Sequence, residues 1–218
     1  MVKIERSFPA PESLAIEAGK ENGSYNKSDV VRRLKEDFHD KCYICEVKGL
    51  QDPQVEHLLP HKNGLFRNRM FDWNNLFWCC GHCNQVKNQD IYDAGIIDCC
   101  KEDPEKLLRF SVCEDDIVVE PVNSDDAKSR LTAQLIYETF NKRNTGIREA
   151  ACENRLQALI CNMNILYREL AKYKDNPSSK RNCRVMRVIL GRDSAFAAFK
   201  RGYVRARLAD YPGLEGCV

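Results

Sequence analysis

The chain has 218 residues, of which 43% are hydrophobic and 30% are charged, and its formal net charge is +2. This length predicts one domain with a substantial core, or a small domain with a helical extension. The apolar stretches are too short to span a membrane, and the N-terminus does not resemble a signal peptide, so we expect a cytoplasmic protein without membrane contact.

The first half predicts two helices and a strand. A helix over residues 12–20 is ended by Asn22-Gly23, and Ser28 is expected to cap a second helix over residues 29–39. Residues 54–59 are predicted to form a strand that Pro60 stops. A basic, glycine-containing loop follows at residues 61–72, and a short helix is expected to begin near Cys83.

The second half is predicted to be mainly helical after a β-hairpin. Two β-prone runs within residues 110–122 flank the acidic Glu114-Asp115-Asp116. Ser124 and the acidic pair after it resemble a cap for a helix to about residue 140. Apolar residues at three-to-four spacing predict a longer helix over 147–173. Two further helices are expected to begin at Ser178 and Ser194.

Charge is unevenly distributed along the chain. Residues 142–207 contain 16 Lys and Arg but only 5 Asp and Glu. Such a basic segment suggests binding to nucleic acid or to a partner protein, and a solvated helical surface explains it equally well.

The cysteines indicate a metal site. Twelve are present, and disulfides are rare inside cells. Two Cys-x-x-Cys pairs, Cys42/Cys45 and Cys80/Cys83, can each present two thiolates, and two such pairs complete a structural Zn²⁺ site. Cys79 is a competing ligand because it lies four residues before Cys83, but Cys80 repeats the spacing of the first pair.

Residues between and beside the two pairs are suited to phosphodiester hydrolysis. All four histidines lie within residues 39–82, and an imidazole can accept a proton from water near neutral pH. His57 is the candidate base, while Glu56 and Asn84 can supply oxygen ligands to Mg²⁺ or Mn²⁺. Successive strand residues point to opposite faces, so Glu56 and His57 need a local distortion to share one site.

The order of these residues resembles the motif of HNH nucleases with a treble-clef zinc knuckle. The resemblance rests on Cys42, Cys45, Glu56, His57, Pro60, Asn75, Leu76, Cys80, Cys83, Asn84 and Lys87. It implies an α+β protein with a zinc-stapled ββα-metal core, an N-terminal helix and a mainly helical C-terminal half. His57 would be the general base, and Glu56 and Asn84 would hold the catalytic ion. Asn75 would orient His57 or brace the loop between the strands, and Lys87 would lie near phosphate.

Two residues depart from the usual motif. Asn84 stands where many members have His, which favours a hard ion such as Mg²⁺. Glu56 stands where Asp is common, and its longer side chain leaves the ligand geometry less defined.

More broadly, the chain is similar to the HNH subunit of Septu-type and retron-associated antiphage systems. The shared features are an opening Pro-x-Pro, the Trp-Asn-Asn-Leu run that starts at Trp73, Asp103-Pro104 and the helical C-terminal half. The resemblance implies a partner ATPase encoded nearby, and the chain itself has no P-loop motif.

Several other residues have two interpretations. His61, Arg67 and Arg69 could contact substrate, with DNA favoured over RNA, or could belong to a solvated loop. His82 is expected to be exposed and near DNA, and His39 to pack or cap the end of its helix. The aromatic residues of the segment 73–78 could stack on bases, although aromatic residues beside a zinc knuckle are more often core.

The sequence therefore predicts three segments: residues 1–40, a nuclease core over 41–123, and a helical region over 124–218 for docking. The leading hypothesis is a metal-dependent endonuclease that acts as the effector of an antiphage system. The alternatives are a zinc-stabilised binding module without catalysis and an adaptor that only bridges proteins.

Overall fold

The computed structural model describes residues 1–114, 116–142 and 144–218, and it combines many helices with little sheet. The elements in chain order are α1 (Glu12–Ala18), α2 (Ser28–Asp37), β1 (Pro53–His57), α3 (Arg67–Met70), β2 (Leu76–Cys80), α4 (Gly81–Lys87), α5 (Pro104–Leu107), β3 (Leu108–Cys113), β4 (Asp116–Pro121), α6 (Ala127–Asn141), α7 (Gly146–Asp175), α8 (Lys180–Ile189) and α9 (Ala197–Arg205). The predicted mixture of helix and small sheet is confirmed.

The first sheet is an antiparallel pair of five-residue strands, β1 and β2, followed at once by α4. Its register places Glu56 opposite Phe77 and His57 opposite Leu76. Every residue of β2 is buried, which accounts for its unbroken apolar sequence. The aromatic residues in and beside it, Trp73, Phe77 and Trp78, are at most 3% exposed. They therefore belong to the core and do not present a stacking surface.

The predicted caps of α2 and α8 are each wrong by one residue, whereas the cap of α6 belongs to the predicted acidic pair. α2 begins at Ser28 itself, with Lys27 at the N-cap and no side-chain cap. Asp126 caps α6, where it accepts hydrogen bonds from the N–H groups of Lys128 and Ser129. Ser179, the neighbour of the predicted Ser178, caps α8. At the start of α8 two adjacent serines satisfy the same local rule, so the sequence does not fix which of them caps the helix.

The last helix also begins later than expected. α9 starts at Ala197, and Phe196 before it has left-handed backbone dihedrals (φ 52°, ψ 36°). The predicted cap, Ser194, donates its hydroxyl hydrogen bond back to the carbonyl of Ile189 at the end of α8. Ser194 thus closes the preceding helix and does not open the next one.

A second antiparallel pair, β3 and β4, joins the two halves of the chain. Leu108 pairs with Pro121 and Cys113 with Asp116, which confirms the predicted hairpin; Asp115, which the prediction included, lies outside the described residues. α9 packs against β3, and a Cβ atom added at Gly202 would lie 2.5 Å from the carbonyl oxygen of Phe110. Only glycine permits this close approach of helix and strand.

The long helix α7 buries the face that its spacing predicted. The buried residues are Cys152, Leu156, Leu159, Met163, Leu166, Leu170 and Tyr173. One hydrophobic core includes residues from the segments 1–40, 41–123 and 124–218; the division into three domains stays a prediction. No helix in the described part of the chain has both the length and the apolar character that crossing a bilayer requires.

A buried carboxylate ties α5 to the C-terminal helices. Glu105 is 8% exposed, and its oxygens lie 2.7 Å from Nε of Arg201, 2.9 Å from an Nη of Arg205 and 3.3 Å from Nε of Arg192. Three guanidinium groups on one carboxylate compensate for its removal from water. This cluster therefore fixes the position of α9 relative to β3.

We predict that Glu105→Gln lowers the free energy of unfolding by about 3 kcal/mol, because it leaves the buried Arg201 without its counter-charge. Urea denaturation of both proteins measures the change. Glu102→Gln is the matched control, since Glu102 is about 40% exposed where it pairs with Lys128, and such pairs contribute roughly 0–1 kcal/mol. Equal losses in the two variants would contradict the structural role of Glu105.

Candidate metal centre and active site

The four cysteines of the two Cys-x-x-Cys pairs meet in one buried cluster. Cys42 and Cys45 lie in the turn between α2 and β1, Cys80 ends β2, and Cys83 lies in the first turns of α4. Their Sγ atoms are all within 4.8 Å of one another, and all four residues are buried. The N–H of Cys83 lies 3.5 Å from Sγ of Cys80, which also caps α4.

This geometry fits a tetrahedral thiolate site. A Zn–S bond of about 2.3 Å implies sulfur–sulfur separations near 3.8 Å, and Sγ of Cys45 lies 4.0 Å from Sγ of Cys80. The cluster could therefore hold a structural ion such as Zn²⁺. Cys79 is outside the four-residue group, although its Sγ lies 3.7 Å from that of Cys42.

One charged residue of the C-terminal helices contacts this cluster, and sequence reasoning missed it. Arg155 of α7 places a guanidinium nitrogen 3.3 Å from Sγ of Cys80. A Zn²⁺ ion bound by four thiolates has a net charge of about −2, so the Arg155 cation would neutralise part of it. No local motif in α7 signals this contact, because it joins residues 75 positions apart.

His57 is buried and held as a neutral imidazole. Its Nε2 lies 3.1 Å from the carbonyl oxygen of Met70, so Nε2–H donates and Nδ1 remains an acceptor. The pKa of His57 is lowered to about 4, mainly by burial and to a smaller extent by the charges of His61 and Lys87, while the Met70 carbonyl opposes the shift. The ring also packs edge-on against Tyr25, with the ring centroids 4.6 Å apart.

Glu56 is buried, and each of its two carboxylate oxygens accepts a hydrogen bond from a neighbouring side chain. Lys87 Nζ lies 2.6 Å from Oε1, and the Tyr43 hydroxyl donates to Oε2 at 2.7 Å. Burial raises the pKa of Glu56, while the Lys87 charge and both hydrogen bonds oppose the rise. Lys87 also donates to the carbonyl of His57 at 2.9 Å, so it links α4 to the end of β1.

Glu56, His57, Asn84 and Lys87 line one open cavity of about 430 Å³. Glu56 and His57 share it although neighbouring strand residues usually face opposite ways, because the strand ends at His57. His61 also lines this cavity, and its ring centroid is 4.6 Å from that of His57. The structure therefore brings five of the predicted site residues to one cavity, namely Glu56, His57, His61, Asn84 and Lys87.

Asn75 braces the loop instead of contacting the cavity. Its amide nitrogen donates to the carbonyls of Leu59 and Arg69, both at 2.9 Å, and its amide oxygen accepts from the N–H of Leu59 at 2.8 Å. The motif implied two roles for Asn75, and its contacts match the role of bracing the loop. Asn75 holds the loop that supplies the Met70 carbonyl to His57.

Arg67 and Arg69 lie outside the cavity. Arg67 donates to the carbonyl of Ala18 at 3.0 Å, and Arg69 donates to that of Pro60 at 3.2 Å. His82, which was expected to be exposed, is half-buried with its Nε2 3.0 Å from the carbonyl of Thr139, because α6 covers the start of α4. His39 follows the end of α2 and has a left-handed backbone conformation.

Tyr43 and Tyr25 are site residues that sequence reasoning missed. Tyr43 lies inside the first Cys-x-x-Cys pair and reaches Glu56 from there. Tyr25 comes from the N-terminal segment and covers His57. The position of Tyr43 between the two cysteines could have identified it as a site residue. No local feature of the sequence identifies Tyr25.

A scan against protein-family models and a search of curated proteins both found no match to this chain.

We predict that Cys80→Ala removes bound zinc, whereas Cys79→Ala retains about one ion per chain, because Cys80 and not Cys79 completes the four-thiolate group. Elemental analysis of the purified variants measures the zinc content. The two cysteines are adjacent and buried, so each serves as the control for the other. Zinc loss in Cys79→Ala alone would show that Cys79 is the ligand.

Proposed function

We propose that this protein is a metal-dependent endonuclease of the HNH type that hydrolyses phosphodiester bonds in DNA. The supporting observation is the shared cavity, in which a neutral, oriented imidazole lies beside two oxygen-bearing side chains. The four-cysteine cluster next to it supports a treble-clef arrangement of β1, β2 and α4, with zinc as the structural ion.

His57 would act as the general base. With Nε2–H donated to Met70, Nδ1 is the nitrogen that can accept a proton from a water molecule. The Met70 carbonyl would then stabilise the imidazolium as it forms, because a hydrogen bond from a charged donor is stronger than one from a neutral donor. Tyr25 and the edge of His61 limit the directions in which the ring can turn.

Glu56 and Asn84 would hold the catalytic ion, Mg²⁺ or Mn²⁺. Each carboxylate oxygen has a second lone pair beyond the bond it makes to Lys87 or Tyr43, and the Asn84 amide has no hydrogen-bond partner among the described residues. Such an ion supplies positive charge to the scissile phosphate and the leaving oxygen. The two ligands fit a hard cation that keeps most of its waters.

Lys87 would act on the substrate through Glu56. Its ammonium is buried against Glu56 and the His57 carbonyl, so it cannot extend to a distant phosphate. It instead keeps a buried carboxylate ionised at the wall of the cavity. His61, at the rim, remains the better candidate for direct contact with substrate.

The resemblance to antiphage subunits suggests the biological process in which this protein acts. We infer that this nuclease is the effector of a defence system, works with an ATPase encoded nearby and acts in the cytoplasm, where thiols stay reduced. The exposed arginines of α8, namely Arg181, Arg184 and Arg187, offer a surface for that partner or for nucleic acid.

A non-catalytic, zinc-stabilised binding module is the second candidate. The observation in its favour is the close Lys87–Glu56 pair, which already neutralises the carboxylate without an ion. Such a module would bind nucleic acid with an affinity that falls steeply with salt and would not cleave it.

We predict that His57→Ala lowers the rate of Mg²⁺-dependent DNA cleavage by about 100-fold or more, the lower end of what a general base contributes. The assay uses purified protein and labelled duplex and single-stranded DNA, with and without the neighbouring ATPase. His39→Asn is the matched control, because His39 does not line the cavity and Asn tolerates its left-handed backbone. Cleavage at the wild-type rate by His57→Ala would refute the assignment, and binding without cleavage by every variant would favour the module.

A second prediction concerns the ion. Lys87→Met should lower the free energy of unfolding by about 3 kcal/mol, because Glu56 loses its buried partner. Millimolar Mg²⁺ should then restore more stability to this variant than it adds to the wild type, since binding to the native state stabilises it.

Thermal unfolding with and without Mg²⁺ measures both effects. The double variant Glu56→Gln/Lys87→Met is the control, because it lacks the carboxylate that would bind the ion. An equal response to Mg²⁺ in the single and double variants would contradict Glu56 as a ligand.

A further inference from the structure

The loop between β1 and β2 presents two apolar side chains to solvent. We call residues 61–71 the basic loop, because they include Lys62, Arg67 and Arg69 and no acidic residue. At its tip, Leu65 is 76% exposed and Phe66 is 38% exposed. An exposed apolar pair within a cationic segment is a feature of interaction surfaces.

The backbone of the basic loop holds this tip in a defined shape. Lys62, Asn63 and Gly64 are three successive residues with positive φ, at 49°, 53° and 88°, and they turn the chain away from the strand. The N–H groups of Gly64 and Phe66 then donate to the carbonyl of His61 at 3.1 and 3.0 Å. The exposed pair is thus presented by hydrogen-bonded turns and not by an extended segment.

Side chains anchor both ends of the basic loop. The Asn75 amide bonds Leu59 before the loop and Arg69 within it. The Arg69 guanidinium bonds the Pro60 carbonyl and lies 4.2 Å from the centre of the Phe66 ring. Because these anchors are made within the protein, little conformational entropy remains to be lost when the tip binds.

The positive charges of the basic loop remain available to a partner. The groups that Arg67 and Arg69 contact are backbone carbonyls and the rings of Phe71 and Phe66, none of which carries net charge. Lys62 differs, since it pairs with Asp90 and Asp93. Two arginines beside an apolar tip complement an anionic partner that also has an apolar interior.

The basic loop is directly connected to the candidate base. Its residue Met70 accepts the hydrogen bond of His57, and its residue His61 packs against the His57 ring. His61, Lys62 and Asn63 line the cavity. A long molecule bound at the tip would therefore extend into the proposed active site.

We propose that Leu65 and Phe66 form a wedge that inserts between base pairs of duplex DNA while Arg67 and Arg69 contact the flanking phosphates. This inference rests on the proposed nuclease function and specifies its substrate as double-stranded. The tip favours a duplex, because only Phe66 of the pair has a ring on which a single-stranded base could stack, whereas both side chains are of the kind that wedges between stacked base pairs. Apolar wedges of this kind enter the minor groove and partly unstack a base step.

The test measures binding and not cleavage. Full-length protein carrying His57→Ala is titrated into duplex DNA with 2-aminopurine at several adenine positions, since the fluorescence of this base rises when it is unstacked. Replacing Leu65 and Phe66 by Ala in that background should abolish the rise and weaken affinity about ten-fold, as expected for the loss of a base-contacting apolar group. Ile147→Ala is the control, because Ile147 is exposed (87%) outside the basic loop.

Each outcome decides the proposal. A fluorescence rise that depends on the tip and not on Ile147 supports the wedge. Duplex binding without a rise, a rise that survives the double substitution, equal affinity for single strands, or no binding at all overturns it. Cleavage by the wild type, measured separately, reports on the nuclease assignment, so that failure of the wedge and failure of the proposed function are distinguished.

Discussion

The four-cysteine cluster is the constraint on which the candidate site depends. Two five-residue strands and a seven-residue helix are too short to be stable in isolation. Cys80 both ends β2 and caps α4, and Cys83 directly precedes Asn84. A metal bound there would fix α4, which carries Asn84 and Lys87, against β1, which carries Glu56 and His57. The cavity is therefore assembled by groups that take no part in its chemistry.

The buried pair of Glu56 and Lys87 sets the electrostatics of that cavity. Burial alone would favour a protonated carboxyl group, and the ammonium 2.6 Å away opposes this. The same ammonium would compete with a divalent ion for one oxygen of Glu56. The affinity of the proposed ion site for Mg²⁺ would then depend on this competition.

The basic C-terminal half has an internal role as well as an external one. Arg155 lies against the cysteine cluster, and Arg192, Arg201 and Arg205 surround Glu105. These four arginines belong to the basic excess that suggested nucleic-acid binding, yet their contacts are within the protein. The charge count of a segment therefore overstates its external surface, because the sequence does not show which cations have internal partners. In the same segment the arginines of α8 are exposed, as are Arg168 and Arg207.

Local patterns were sufficient to predict the longer helices, the hairpin and the four-cysteine group, because spacing and residue type act over a few positions. The shared placement of Glu56, His57 and Asn84 was expected from the family resemblance, since strand alternation by itself opposed it. The short helix α3 lies within a segment that was predicted to be a loop. The boundary residues, such as the caps of α2, α8 and α9, were not predicted, since several neighbouring residues satisfy the same local rule. The partners Tyr25, Tyr43 and Arg155, and the pairing of Lys87 with Glu56, were decided only by tertiary structure. Each depends on the contact of distant segments around a buried charge or sulfur, and no local sequence period encodes such a contact.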